Sequence, residues 1–381
     1  LRLDFDGGHL LESADKYGVA SLTAQMMNEG TENFSAEEFE IELDKLGSGI
    51  SVGSGSDSFN ISVQSLLRNV DATLDLLEER LFRSSFTQAD LDRLRQQQIE
   101  NIEASKEEPS GIAGTVYPKL IYGEEHAYAV SAAGTIPTLQ SITLEDIEAF
   151  ARKNLVSQAL KVSIVGDLPQ QDVLAKLDFL QALPNENVSL NQQPTGTNVN
   201  VTTLYLVDKP GAAQSEIRIG YLTDLTYDAA GDYWERSLMN YILGGAFNSR
   251  INLNLREDKG YTYGARSSFS GSKIPGPFTA SASVRTDTTA DSVVQFINEI
   301  TNYRDNGITA AELQFTKDAI GQSEARDYET PGQKARLLDQ IITYDLEADF
   351  VKQQQTVISA LTAEQVQELA REHLPVEKMK I

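Results

Sequence analysis

The sequence predicts an α+β protein built from two duplicated domains, each a mostly antiparallel sheet with helices packed on one face. Three observations predict this. Segments recur in the same order at a near-constant offset. Apolar residues alternate along short runs joined by Gly/Ser turns, which is the pattern of hairpin strands. Apolar stripes at helical spacing open on capping residues and close on glycine. Strands mixed with helices, with hairpins favoured, give an α+β layer architecture.

The repeats run through most of the chain. "SFTQADLDRLRQQQIENIEASKEEPSG", from Ser85, lies opposite "GITAAELQFTKDAIGQSEARDYETPGQ", from Gly307. Thr87 and Thr309, Leu91 and Leu313, and Pro109 and Pro331 all pair at an offset of 222. "SITLEDIEAFARKNLVSQALKVSI" from Ser141 matches "ALTAEQVQELAREHLPVEKMKI" from Ala360, and "DKLGSGISVGSGSD" from Asp44 sits opposite "EDKGYTYGARSSFS" from Glu257. One such match arises by chance among helix-forming sequences; three in the same order do not. The expected domains are residues 1–184 and 203–381, joined by a linker at 185–202. "PNENVSLNQQPTGTNVN", from Pro184, lacks hydrophobic period and carries Pro and Gly. The final "KMKI" matches the middle of a strand in the first copy, "LKVSIVGD".

Within the first copy, "GVASLTAQMMNEGT" (Gly18 to Thr31) reads as an amphipathic helix stopped by a glycine. Ser35-Ala36-Glu37-Glu38 is a capping box; Phe39, Leu43 and Leu46 share one face, and Gly47 ends that helix. Ile50 and Val52, then Phe59, Ile61 and Val63, alternate as two strands. Val70, Leu74, Leu77 and Leu81 form the next helical stripe. In the second copy Phe278, Ala280, Ala282 and Val284 alternate, followed by the stripe Val293, Phe296, Ile297 and Ile300.

Composition narrows the function. The chain has 381 residues, enough for two or three domains, and hydrophobic residues make up 40% of it. Its formal net charge of −24 makes nucleic acid and anionic membrane poor partners for the surface as a whole. It has no cysteine, so disulfides, thiol catalysis and cysteine zinc sites are excluded while the compartment stays open. No apolar run reaches the length of about 18 residues that a membrane span needs. The opening "LRLDFDGGHLLES" has no initiator Met and starts inside a strand-like pattern, as a fragment of a longer precursor would. The three histidines, His9, His126 and His373, never stand four apart, which is how paired metal ligands share a helix face. No phosphate-binding loop and no nucleophile elbow is present; the glycine-rich "GSGISVGSGSDS" from Gly47 follows a helix, where a hairpin is expected.

The most distinctive stretch is "LGGAFNSRINLNLREDKGYTYG", Leu243 to Gly264. With "GVASLTAQMMNEGT", "VDKPGAAQSEIRIGY" from Val207 and the duplication, it resembles the pitrilysin/insulinase family of zinc metallopeptidases over nearly the whole chain. The resemblance implies the fold of the mitochondrial-processing-peptidase-like metallohydrolases. In active members the first helix carries His-x-x-Glu-His, with two zinc ligands and a general base. Aligned on Gly18, Ala20, Met26, Gly30 and Thr31, the histidine positions fall on Ser21 and Gln25 and the glutamate on Ala24. A third carboxylate ligand would fall near Glu100 or Asn101. Ser and Gln are poor zinc ligands and Ala takes no proton. The helix is then kept for packing by Val19, Leu22 and Met26.

The resemblance therefore implies a non-catalytic half: no metal or cofactor in this chain, and zinc in a homologous partner half or subunit. In the family the metal-free half lends an Arg and a Tyr seven residues apart, and here these match Arg256 and Tyr263. A phenol aimed at the scissile carbonyl oxygen stabilises charge that builds up there, and a guanidinium fixes a neighbouring carbonyl. Gly260 lets the chain leave the helix before the strand that carries Tyr263. Tyr261, two residues away, is the functional tyrosine if the register slips by two; Arg250 and Arg266 read as structural or rim residues. The implied substrate is an unfolded peptide, held partly as an added β-strand, and the implied location is the bacterial periplasm. Two other readings compete. One is a purely structural or peptide-binding module without a catalytic partner. The other is an independent peptidase with an unrelated site.

Overall fold

The computed structural model describes residues 1–196, 198–324 and 328–381. They group into two compact units. Unit 1 holds 1–104, 130–194 and 330–339; unit 2 holds 105–129, 195–329 and 340–381.

Unit 1 is built on a four-stranded antiparallel sheet of order β2-β3-β1-β4, with β1 Arg2–Asp6, β2 Gly49–Ser54, β3 Ser58–Gln64 and β4 Leu160–Ser163. Register places Leu3 against Ile61, Phe5 against Phe59 and Val52 against Ile61. These residues join one buried cluster with Leu22 and Met26 of helix α1 (Val19–Met27), Phe39 and Leu43 of α2 (Ala36–Leu46) and Leu74, Leu77 and Leu81 of α3 (Val70–Arg83). Leu91 and Leu94 of α4 (Gln88–Ser105) and Ile147 and Phe150 of the helix Leu144–Asn154 complete it. The expected Ser35 capping box is present, Glu38 N–H donating to Ser35 Oγ (3.3 Å) and Ser35 N–H to Glu38 Oε2 (2.9 Å). Gly47 closes α2 at φ 60°, a left-handed position that suits glycine.

Unit 2 carries a three-stranded antiparallel sheet of order β5-β7-β6, with β5 Gln214–Leu222, β6 Thr262–Gly271 and β7 Pro275–Arg285. Phe278, Ala280, Ala282 and Val284 of the central β7 pack on Phe296 and Ile300 of the helix Thr289–Asn306. Beyond β5 the chain's last residues continue the hydrogen bonding: Lys380 exchanges backbone bonds with Gly220 (2.7 and 2.9 Å), and Thr203 does so with Met379 and Ile381. The strand character read in "KMKI" is thus realised. The capping box seen at Thr143 and Asp146 recurs at Thr362 and Gln365. No helix among the described residues is long and apolar enough to cross a membrane.

The compact units depart from the expected boundaries at two segments. Residues 105–129, placed in the first domain by the repeat, group with unit 2, and 330–339 group with unit 1. Side-chain fit is the reason. Helix α5 (Pro109–Tyr122) sets Tyr117 OH 2.9 Å from Thr279 Oγ1, over Gly220, where any Cβ would overlap that hydroxyl and Phe278 O. In unit 1, Asp339 accepts from Ser163 Oγ and pairs with Arg2 Nε at 3.1 Å. Much of the expected linker is also packed. Asn191 donates to Glu12 O (2.8 Å) and Leu10 O (3.1 Å) in unit 1. Asn198 bonds both backbone groups of Leu222 in unit 2.

Candidate functional site

Helix α1 begins at Gly18, whose φ of 103° and closeness to Ala133 O admit only glycine comfortably. The buried Glu12 carboxylate closes this end. It accepts from Gly18 N–H (3.1 Å) and Ala20 N–H (2.7 Å) and from His9 Nδ1 (2.5 Å). An anion there satisfies amides that the helix cannot and complements its dipole. The other end is held by Arg80, fully buried, whose Nη1 donates to Met27 O (2.9 Å) and whose guanidinium lies 3.9 Å from the centre of the Phe39 ring. Burial pulls the Arg80 pKa down to about 10, so it stays charged at neutral pH.

Ser21, Ala24 and Gln25 occupy the middle of this helix. Gln25 Nε2 is 3.2 Å from Ser21 Oγ and 2.6 Å from Gln98 Oε1, and Gln98 in turn donates to Ala133 O. The α4 side chain that meets Gln25 is therefore Gln98, rather than Glu100 or Asn101. Leu91, Leu94 and Gln98 lie on the buried stripe of α4, whereas Glu100 and Asn101 face solvent. That stripe was the signal in the sequence. The trio is neutral and tied up in its own hydrogen bonds, and Ala24 beside it offers no base. These residues do not fit a zinc ion. Among the described residues no group of three His, Cys, Asp or Glu side chains gathers around a point. His9 and His126 are buried, and His126 Nδ1 accepts from Tyr128 N–H (2.9 Å). Burial lowers the pKa of His126 and His373.

Unit 2 presents the other predicted residues. The helix Asp232–Asn240 runs into a wide turn, Tyr241–Gly245, closed by Ala246 N–H to Tyr241 O (2.9 Å). A second wide turn, Leu253–Asp258, is closed by Lys259 N–H to Asn254 O (3.0 Å). Such i→i+5 turns are rare and concentrate at functional sites. Gly244 lies so close to β6 that a Cβ would overlap Ser267 N and Oγ, and beside it Asn240 and Ser267 exchange two hydrogen bonds (2.6 and 2.7 Å). Asn252 ties the segment between the two wide turns to β6, donating to Phe247 O (2.6 Å) and accepting from Ala265 N–H (2.9 Å).

Arg256 lies on the second wide turn. Its guanidinium stacks 4.5 Å from the centre of the exposed Phe247 ring and reaches Glu257 Oε1 at 3.0 Å. Gly260 then leaves the helix at φ 63°. Tyr263 sits on a bulge: Thr262 faces Val284 and Ala265 faces Ala282, so β6 spends one residue more than β7. Thr262 Oγ1 secures the bulge, donating to Ser283 O (2.7 Å) and accepting from Gly264 N–H (3.1 Å). The extra residue turns Tyr263 outward until it is 93% exposed. Tyr261 is placed differently. Its ring packs on the unit 2 core and its hydroxyl donates to Asp291 Oδ2 (2.8 Å), a bond that raises its pKa. Arg256 and Tyr263 thus share one unit and both reach solvent, with Phe247 an additional contact that the sequence reading gave no role.

Arg250 is structural. It forms a two-point bond to Glu312 (2.7 and 2.8 Å), donates to Gly307 O (2.9 Å) and lies over Tyr303. The Arg250 guanidinium and the capping contacts with Thr309 hold the Glu312 pKa down at about 2, from 4.5. A depressed carboxylate stabilises fully above its unfolded value, and the gain is lost as protons bind on the way down. Acid unfolding of unit 2 is therefore expected to steepen between pH 4.5 and about 2, and Glu312→Gln should flatten this limb in pH-dependent urea titrations.

Two family profiles match. One, described as insulinase (peptidase family M16), covers residues 1–126; the other, peptidase M16 inactive domain, covers 141–320. A Helicobacter pylori protein described as non-peptidase homolog YmxG is 26% identical over 342 residues, 87% of this chain and 76% of that one. An uncharacterized zinc protease YmxG of Bacillus subtilis is 20% identical over 327 residues, 85% and 77% of the two chains. In three dimensions, the peptidase M16 inactive domain from Pseudomonas fluorescens superposes with a TM-score of 0.90 at 26% identity, covering 100% of this chain and 90% of that one. A protease from Helicobacter pylori superposes at 0.87 with 18% identity, covering 100% and 91%.

Proposed function

Because this chain belongs to the insulinase (M16) family of peptidases, we propose that it works as the non-catalytic half of a zinc peptidase, closing a peptide-binding chamber and lending Arg256 and Tyr263 to a zinc-bearing homologous half. Residues 141–320 match the family's inactive domain, and its relatives include a non-peptidase homolog. Both fit a chain without peptidase activity of its own. The observation that carries the proposal is the bulge in β6. It costs a ladder position and exposes a phenol almost completely, while the neighbouring Tyr261 is tied to Asp291. A sheet gains nothing in stability from such a tyrosine, so its use lies in what approaches it.

In this reading the Tyr263 hydroxyl donates to the peptide carbonyl oxygen as negative charge builds there. Arg256, oriented by Phe247, holds a second carbonyl of the same peptide. The metal and the base belong to the partner. A bacterial periplasmic location is part of the proposal, from the family and the acidic, cysteine-free composition. The test is co-purification with a zinc-bearing M16 chain from the same genome. The mixture is expected to cleave a quenched-fluorescence peptide that neither chain cleaves alone. A complex that forms without gaining activity would favour the structural alternative.

A further inference from the structure

Strand β2 forms one edge of the unit 1 sheet. Val52 N–H and C=O point away from β3, and both are bonded by one side chain: Asn28 Oδ1 accepts from Val52 N–H (2.9 Å) and Asn28 Nδ2 donates to Val52 O (2.8 Å). A carboxamide offers the same donor and acceptor as a peptide bond, so Asn28 makes the pair of bonds that a docked strand would make. By the two-residue period, the outward groups of β2 belong to Ile50, Val52 and Ser54. The closed position is the middle one, and a strand cannot be added across it without losing continuity.

We infer that Asn28 is a built-in plug that keeps the β2 edge of unit 1 from accepting an extended peptide as an added strand. The plug is itself held. Asn28 Nδ2 also reaches Ala24 O (2.8 Å), and the buried Arg80 Nη1 lies 3.3 Å from its Oδ1 while gripping Met27 O. The helix that lacks zinc ligands at Ser21 and Gln25 thus ends in a residue that also withdraws the adjacent edge from peptide. The added-strand binding expected from the sequence is not available at this edge. Exposed edges invite pairing with other chains, and a self-made amide pair prevents it without a charge or a proline. This inference is independent of the trans role of Arg256 and Tyr263, since it concerns unit 1 alone.

The test uses the full chain and a fluorescein-labelled alternating Val/Lys peptide, a strand former of charge opposite to the protein. Two lost hydrogen bonds at the edge correspond to about a tenfold change or more in the equilibrium. Asn28→Ala is expected to bind the peptide at least about tenfold more tightly than the parent by anisotropy, and to exchange the Val52 amide faster. Val52→Pro in the Asn28→Ala background removes the outward N–H and is expected to abolish the gain; proline is tolerated at an outward edge position. Asn28→Asp, which still accepts from Val52 N–H, keeps the probe usable if the alanine variant fails to fold, and should show a smaller gain. A folded Asn28→Ala or Asn28→Asp protein with parental peptide affinity overturns the inference, as does a gain that survives Val52→Pro.

Discussion

Replacing Tyr263 by Phe is expected to lower peptide turnover by the proposed two-part peptidase about a hundredfold to a thousandfold, the usual cost of one lost donor to a developing oxyanion. The substitution removes one oxygen from a side chain that is 93% exposed. It therefore leaves the core, the bulge and the melting temperature of this chain unchanged, and association with the partner should change little. Turnover at saturating peptide separates the two effects. Arg256→Ala is expected to act mainly on KM, by about tenfold or more, because in the proposed role Arg256 makes a charge-assisted hydrogen bond before the chemical step as well as during it. Phe247→Leu, which removes the ring stacked on the guanidinium, should move KM in the same direction by less. Tyr261→Phe breaks the bond to Asp291 and is expected to leave turnover near the parental value. A large loss there instead would transfer the donor role to Tyr261. Unchanged turnover in both Tyr263→Phe and Arg256→Ala would leave this chain as a scaffold.

Gly244→Ala should be among the most damaging conservative changes in unit 2. The new Cβ would overlap Ser267 N and Oγ, and β6 is fixed by its ladder to β7 while the wide turn is fixed by Asn240 and Asn252. Neither side can withdraw cheaply, so the cost is expected to exceed about 3 kcal/mol. For a unit of this size that lowers the melting transition by roughly 10 °C. Gly245→Ala is the internal control. Its nearest neighbour would be Asn240 Nδ2 at 3.4 Å, an ordinary contact, and it should cost less than about 1 kcal/mol. Calorimetry of the two single variants decides the matter. Equal melting temperatures would mean that the approach of the wide turn to β6 is not tight. Because the same approach positions Asn252 and, through it, Phe247 and Ala265, Gly244→Ala is also expected to impair turnover, unlike Gly245→Ala.

Where the sequence was legible, it was legible for local reasons. The Ser35 box, the Gly47 stop, the alternation in β2, β3 and β7 and the stripes of α3 and the helix Thr289–Asn306 each depend on residues within one or two turns of each other. That Ser21, Ala24 and Gln25 do not suit a zinc ion was readable because chemistry follows residue type. The bond between Gln25 and Gln98 was not legible, because it joins two helices distant in the chain.

Taken alone, the amino-acid sequence determined the α+β class and the family, since periodicity, capping and short motifs are properties of short stretches. Only the tertiary structure decided which compact unit receives α5 and residues 330–339, which tyrosine is exposed, and that Asn28 occupies the β2 edge. Each of these depends on a contact between residues distant in the chain, such as Tyr117 over Gly220 or Asn28 against Val52, and on one extra residue in β6 whose effect exists only once β7 lies beside it.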